Sequence, residues 1–101
     1  MLFETRGEPQ NPAVLFFHAM GVTGQSSERV ADVLKDRYFC ILPTATVYCP
    51  GQKYISKAEE IRQITEFLDQ KGILRLALVV ASSIGADLAM AFLQETVLPI
   101  D

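Results

Sequence analysis

Residues 79–89 read VVASSIGADLA. Their start completes an apolar run, LALVVA at 76–81, and their end begins a helical pattern, with two serines between. A continuous run of this kind reads as a strand covered on both faces, in the middle of a parallel sheet. After it Ile84, Leu88 and Phe92 recur at i, i+4, i+8, with Ala86, Ala89, Met90, Ala91 and Leu93 between them. That helix is apolar nearly all round, so it is expected to be buried on most sides. A sharp strand-to-helix turn pushes a serine hydroxyl out at the carboxyl edge of a sheet, and the residues two before and two after that serine must be small. Ala81 and Gly85 flank Ser83 at those positions, whereas Val80 and Ile84 flank Ser82. Ser83 is the candidate nucleophile. The plainer alternative is that Ser83 only caps the helix and Gly85 only permits close packing.

The same alternation of strand and helix runs upstream. AVLFF at 13–17, bounded by Asn11-Pro12 and Gly21, suits a short buried strand, followed by a loop over 18–25. Ser26 or Ser27 can cap a helix in which Val30, Val33 and Leu34 form one apolar stripe, ending near Asp36-Arg37. YFCIL at 38–42 reads as a second strand that stops at Pro43, with a loop over 44–55. Ser56-Lys57-Ala58-Glu59 has capping-box spacing, Ile61, Ile64 and Leu68 line one face of the helix after it, and Lys71-Gly72 ends it. Residues 1–4 add a short leading strand. Three strand-helix alternations with short connections require parallel strands and right-handed crossovers. The expected fold is an α/β three-layer sandwich with a short parallel sheet, in a single domain over residues 1–101.

In the light of these elements, AxSxG at 81–85 resembles the nucleophile elbow of the α/β-hydrolase family, with Ala in place of the usual first Gly. LFFHAMG at 15–21 is similar to that family's strand and HG-type oxyanion loop, and CPGQ at 49–52 is a weak echo of a later PGxG turn. Two positions depart from the pattern: Ala19 replaces the Gly of HG, and Thr44 stands where an Asp is common. The resemblance covers residues 12–101 and corresponds to the amino-terminal part of a family domain. It implies an oxyanion hole made by the backbone N–H groups of Ile84 and Met20, and it gives His18 a structural place in the oxyanion loop. It also implies that the first and third strands of this segment are neighbours at the switch point of the sheet, where open α/β sheets bind ligands.

Composition narrows the remaining choices. Of 101 residues 50% are hydrophobic and 21% charged, with a mean hydropathy of +0.22, which excludes disorder. The net charge is −3 and the nine basic residues are scattered, so nucleic acid is not an expected partner. The start, MLFETRGEPQNP, has no signal-peptide pattern, and no stretch is long enough to span a membrane. A soluble, cytoplasmic protein is the expectation. Cys40 and Cys49 match no metal spacing and there is one histidine, so neither a metal nor a cofactor is expected.

A serine hydroxyl needs a base within hydrogen-bond reach. A Ser83–His18 dyad is the minority hypothesis here, and Asp87 reads as a surface carboxylate. By the resemblance, the acid and base lie on later segments that this sequence does not contain. The leading function is therefore a serine hydrolase of esterase or lipase type, acting on a small acyl or ester substrate through an acyl-enzyme on Ser83, with the triad acid and base missing from this chain. The third apolar strand would lie at an open edge, which implies the front part of a longer hydrolase, a complementing segment, or a homodimer formed across that edge. Two rivals stay open. HAMGVTGQ at 18–25 places GxxG between strand and helix as a nucleotide-binding module would, without the GxGxxG or GK[ST] spacing, and a non-catalytic α/β remnant is the other.

Overall fold

The computed structural model describes residues 1–18, 28–81, 85–96 and 98–100. Four strands form one sheet: β1 (Leu2–Arg6), β2 (Ala13–Phe17), β3 (Phe39–Thr44) and β4 (Leu76–Ala81). Their spatial order is β1-β3-β2-β4. Three helices join them: α1 (Glu28–Leu34), α2 (Lys57–Gln70) and α3 (Gly85–Glu95).

From β2 the chain crosses to β3 on one side, then passes back over β2 to reach β4 on the other. Right-handed crossovers in opposite directions must place their helices on opposite faces. Side chains alternate along β2 accordingly. Val14 and Phe16 pack with Ala31 of α1, Cys40 and Leu42. Ala13, Leu15 and Phe17 pack with Ile61, Ile64 and Leu68 of α2 and with Ala89 and Phe92 of α3. The result is the expected α/β three-layer sandwich. β2, buried at every residue, is its centre, and each fully buried large apolar side chain contributes about 1.5–3 kcal/mol.

The sheet is mixed rather than purely parallel. β2 is parallel to both β3 and β4, but β1 runs antiparallel to β3, from Leu2↔Thr44 to Arg6↔Cys40. The leading strand is longer than its sequence suggests because Phe3 stacks on Phe67 of α2, with ring centroids 4.1 Å apart. β3 likewise runs on through Pro43. Its pairing with β2 ends at Leu15↔Ile41, so the missing N–H of Pro43 breaks no ladder on that side.

α2 begins and ends as its sequence predicts. Ser56 Oγ accepts the Glu59 N–H at 3.0 Å, although the Glu59 carboxylate turns to Arg62 instead of completing the box. At the other end Gly72 takes a φ of +70°, and the Ile73 N–H reaches the Leu68 carbonyl while the Gly72 N–H reaches that of Asp69, a Schellman ending.

Three expectations about burial are corrected. In α1 the inward residue is Ala31, with Leu34 beside it, while Val30 and Val33 face outward; the shift follows from Ala31 meeting Cys40, whose Sγ lies against its carbonyl. β4 takes the open-edge position expected for the third strand, but its faces are not both covered, and Leu78 is 47% exposed. α3 buries Gly85, Ala89 and Phe92 but leaves Met90 and Leu93 in contact with solvent. Both follow from position: among the described residues, the outer edge of β4 is met only at Leu76, by the Pro99–Ile100 segment in parallel. No helix among the described residues is long and apolar enough to cross a membrane.

Candidate active site at the carboxyl edge of β2 and β4

β2 and β4 are parallel neighbours whose last register pair is Phe17↔Ala81. Both strands thus end together at the same edge of the sheet. His18 follows one, and Ser82, Ser83 and Ile84 follow the other in sequence. α1 and α3 lie on opposite faces, so the chain diverges between these two strand ends, and a switch point of that kind is where open α/β sheets form a crevice. The neighbour relation implied by the sequence resemblance is therefore present. Ser83, Ile84 and Met20 themselves lie outside the described residues.

The small residues around Ser83 are described, and Gly85 is the informative one. It is the first residue of α3 and is buried. A Cβ built on it would stand 2.7 Å from the Phe17 carbonyl oxygen and closer still to that of His18. No side chain fits, because α3 starts hard against the end of β2. Ala81, the last residue of β4, is exposed.

His18 is partly buried just beyond β2. Its Nε2 accepts the Ala45 N–H at 3.0 Å, and its ring meets Tyr48 edge-on at 5.7 Å between centroids. An Nε2 that accepts belongs to a neutral imidazole protonated at Nδ1. Ala45 opens a short 3-10 turn (Thr46–Tyr48), and that turn is held from below by α2. Glu60, only 2% exposed, takes the Thr46 N–H on Oε1 at 2.7 Å and the Thr46 hydroxyl on Oε2 at 2.6 Å. Cys49 Sγ closes the far side against the carbonyls of Thr44 and Ala45 at 3.5 and 3.4 Å.

Sequence reasoning had passed over Glu60. The signal was there, because Glu60, Ile64 and Leu68 stand at i, i+4, i+8 on the buried stripe of α2. A glutamate in register with a core stripe must have a buried partner.

The remaining charged and titratable groups are peripheral. Asp87 pairs with Lys57 at 2.7 Å across the α2–α3 boundary and is largely exposed, as a surface carboxylate should be. The Arg62 guanidinium hydrogen-bonded to Glu59 holds that carboxyl below the usual carboxylate range, and the same contact raises Arg62. Burial pushes the Cys40 thiol up. No group of three His, Cys, Asp or Glu residues among the described residues could hold a metal. A groove of about 890 Å³ between α2 and α3, lined in part by Ile61, Ile73, Ala91 and Leu98, contains none of the sequence-predicted site residues.

No family model and no curated protein matches the sequence. Solved structures do match the fold. An α/β hydrolase family protein from Desulfitobacterium hafniense superposes with a TM-score of 0.88 at 24% identity, over 98% of this chain and 41% of its own. A marine microorganism esterase gives 0.83 at 18% identity over 99% and 38%. The 2-hydroxy-6-oxo-6-phenylhexa-2,4-dienoate hydrolase of Rhodococcus sp. strain RHA1 gives 0.81 at 20% over 94% and 37%. Epoxide hydrolases and a haloalkane dehalogenase are also among the matches. The fold is that of the α/β hydrolases, and the chain spans about two-fifths of the length of the proteins it matches most fully.

Proposed function

We propose that this chain carries the nucleophile elbow and oxyanion loop of a serine hydrolase of esterase type, with Ser83 as nucleophile. The observation that carries the proposal is the crowding at Gly85. A helix that merely followed β4 would not need its first residue pressed on the main chain of β2, whereas an elbow does. The Phe17↔Ala81 register adds that the segments bearing Met20 and Ser83 leave adjacent strand ends.

The chemistry follows from a hydroxyl at that point. Ser83 Oγ attacks a carbonyl carbon and gives its proton to a base. The resulting oxyanion is met by the N–H groups of Ile84 and Met20, and collapse expels the alcohol, protonated by the same base. Water then hydrolyses the acyl ester and restores Ser83. Each oxyanion donor is worth roughly 3 to 4 kcal/mol in the transition state. His18, the one histidine in the sequence, has Nε2 engaged by Ala45, which favours an anchoring role over that of base. Base and orienting acid are then supplied from outside residues 1–101.

Serine at the elbow also favours acyl substrates over the epoxide and haloalkane chemistry for which some structural neighbours are named. Opening an epoxide or displacing a halide with Ser83 would leave an ether on the enzyme, which water does not cleave, whereas an acyl ester turns over. The buried, unbridged thiols of Cys40 and Cys49 support a cytoplasmic address.

The test is intact mass before and after incubation with a fluorophosphonate, beside Ser83→Ala. A single adduct on the wild type, lost in the variant, is expected whenever a base is within reach. A wild-type adduct that survives Ser83→Ala would overturn the assignment.

A further inference from the structure

Glu60 occupies a position where the core stripe of α2 calls for an apolar residue. A leucine there would fill the same space without the desolvation cost of a buried carboxylate. The carboxylate is held by two short hydrogen bonds from a single residue, Thr46. Two bonds to one residue fix its orientation as well as its position. Ala45, immediately before it, is therefore held between two anchors: Glu60 through Thr46 on the α2 side, and His18 Nε2 on the β2 side. Cys49 Sγ closes on the carbonyls of Thr44 and Ala45, so three ties converge on residues 44–46.

We propose that Glu60 and Thr46 are positioning residues for His18, acting through the Ala45 N–H on its imidazole. The relay runs from Glu60 to Thr46, to the Ala45 N–H, to His18 Nε2. It holds the His18 ring in place as the Nδ1–H tautomer. Its catalytic consequence rests on the elbow reading above, because His18 begins the segment that carries Met20.

The single histidine makes the relay directly observable. A ¹⁵N-imidazole correlation spectrum at about pH 8 contains one ring. Wild-type protein is expected to show Nδ1 protonated and Nε2 bare. Ala45→Pro deletes the donor at a residue whose φ of −56° already suits proline, so the turn survives. Thr46→Val removes the hydroxyl that Glu60 Oε2 holds, and Glu60→Gln removes the charge at nearly constant volume. In each, His18 is expected to become a mixture of tautomers, and fluorophosphonate labelling of Ser83 to slow by roughly 10- to 100-fold. Thr46→Ser is expected to restore both.

A wild-type ring protonated at Nε2 would overturn the relay. So would retention of the wild-type tautomer in folded Ala45→Pro and Thr46→Val. If the wild type never labels, the tautomer spectra still decide the relay, and only its link to catalysis falls with the elbow reading. If Glu60→Gln does not fold, the Ala45 and Thr46 variants carry the decision.

Discussion

Gly85 and Phe17 meet where no side-chain carbon fits: a Cβ on Gly85 would lie 2.7 Å from the Phe17 carbonyl oxygen. The overlap is with backbone at the end of a strand buried at every residue, which cannot give way as a flexible side chain would. Gly85→Ala is expected to cost more than about 2 kcal/mol, seen as a fall in Tm of at least about 8 °C. Gly51→Ala is the control. Gly51 has a φ of +77° but open space around it, so only backbone strain of about 1 kcal/mol is expected. Equal effects at the two sites would show that the crowding at Gly85 is unimportant.

Asp87 is four residues beyond Ser83 in sequence but is tied to Lys57 on the surface. Exposed ion pairs of this kind are worth about 0–1 kcal/mol. Asp87→Asn is therefore expected to shift Tm only slightly and to leave the rate of Ser83 labelling unchanged. A large drop in labelling with stability intact would make Asp87 part of the catalytic machinery.

Cys40 is buried against α1, and burial disfavours its thiolate. The folded protein thus holds this proton more tightly than the unfolded chain does. Its contribution to stability is complete below the ordinary thiol pKa and is lost as pH rises from about 8.5 toward the raised folded value. Thermal melts of wild type and Cys40→Ala from neutral pH to about pH 10 should show the steeper alkaline decline in the wild type. Parallel curves would remove Cys40 from that decline.

Leu78 on β4 and Met90 and Leu93 on α3 are exposed apolar side chains beside an open strand edge. Edges of this composition pair or aggregate. Leu78→Lys is expected to lower concentration-dependent association in sedimentation while changing stability by no more than about 0.5 kcal/mol. Unchanged association would place the sticky surface elsewhere.

The strand-helix alternation, the start and stop of α2 and the reach of β4 were all legible in order, because each depends on neighbours within a few residues. Ser56, Gly72 and the LALVVA run carry their own instructions. The choice of Ser83 over Ser82 likewise used only local information, the sizes of four flanking residues. Ala81 ends β4 and Gly85 opens α3, while Ser83, Met20 and Ile84 lie outside the described residues.

What failed to show was what depends on partners distant in the chain. The apolar pattern of β4 says that both faces suit burial, yet it cannot say which strand lies alongside, and among the described residues its outer edge is met only at Leu76, by Pro99–Ile100. Val30 and Val33 looked inward until the packing of Ala31 on Cys40 turned them out. The partner that Glu60 needs, Thr46, lies 14 residues away.

The sequence by itself determined the elements, their order and the small residues required around one serine, since backbone propensity and side-chain size act locally. Only the tertiary structure decided that β2 and β4 end side by side, that Gly85 has no room for a side chain, and that Glu60 holds the turn on which His18 rests. Those relations join residues from 14 to more than 60 positions apart, and contacts at that range arise only when the sheet and its two helical layers are assembled together.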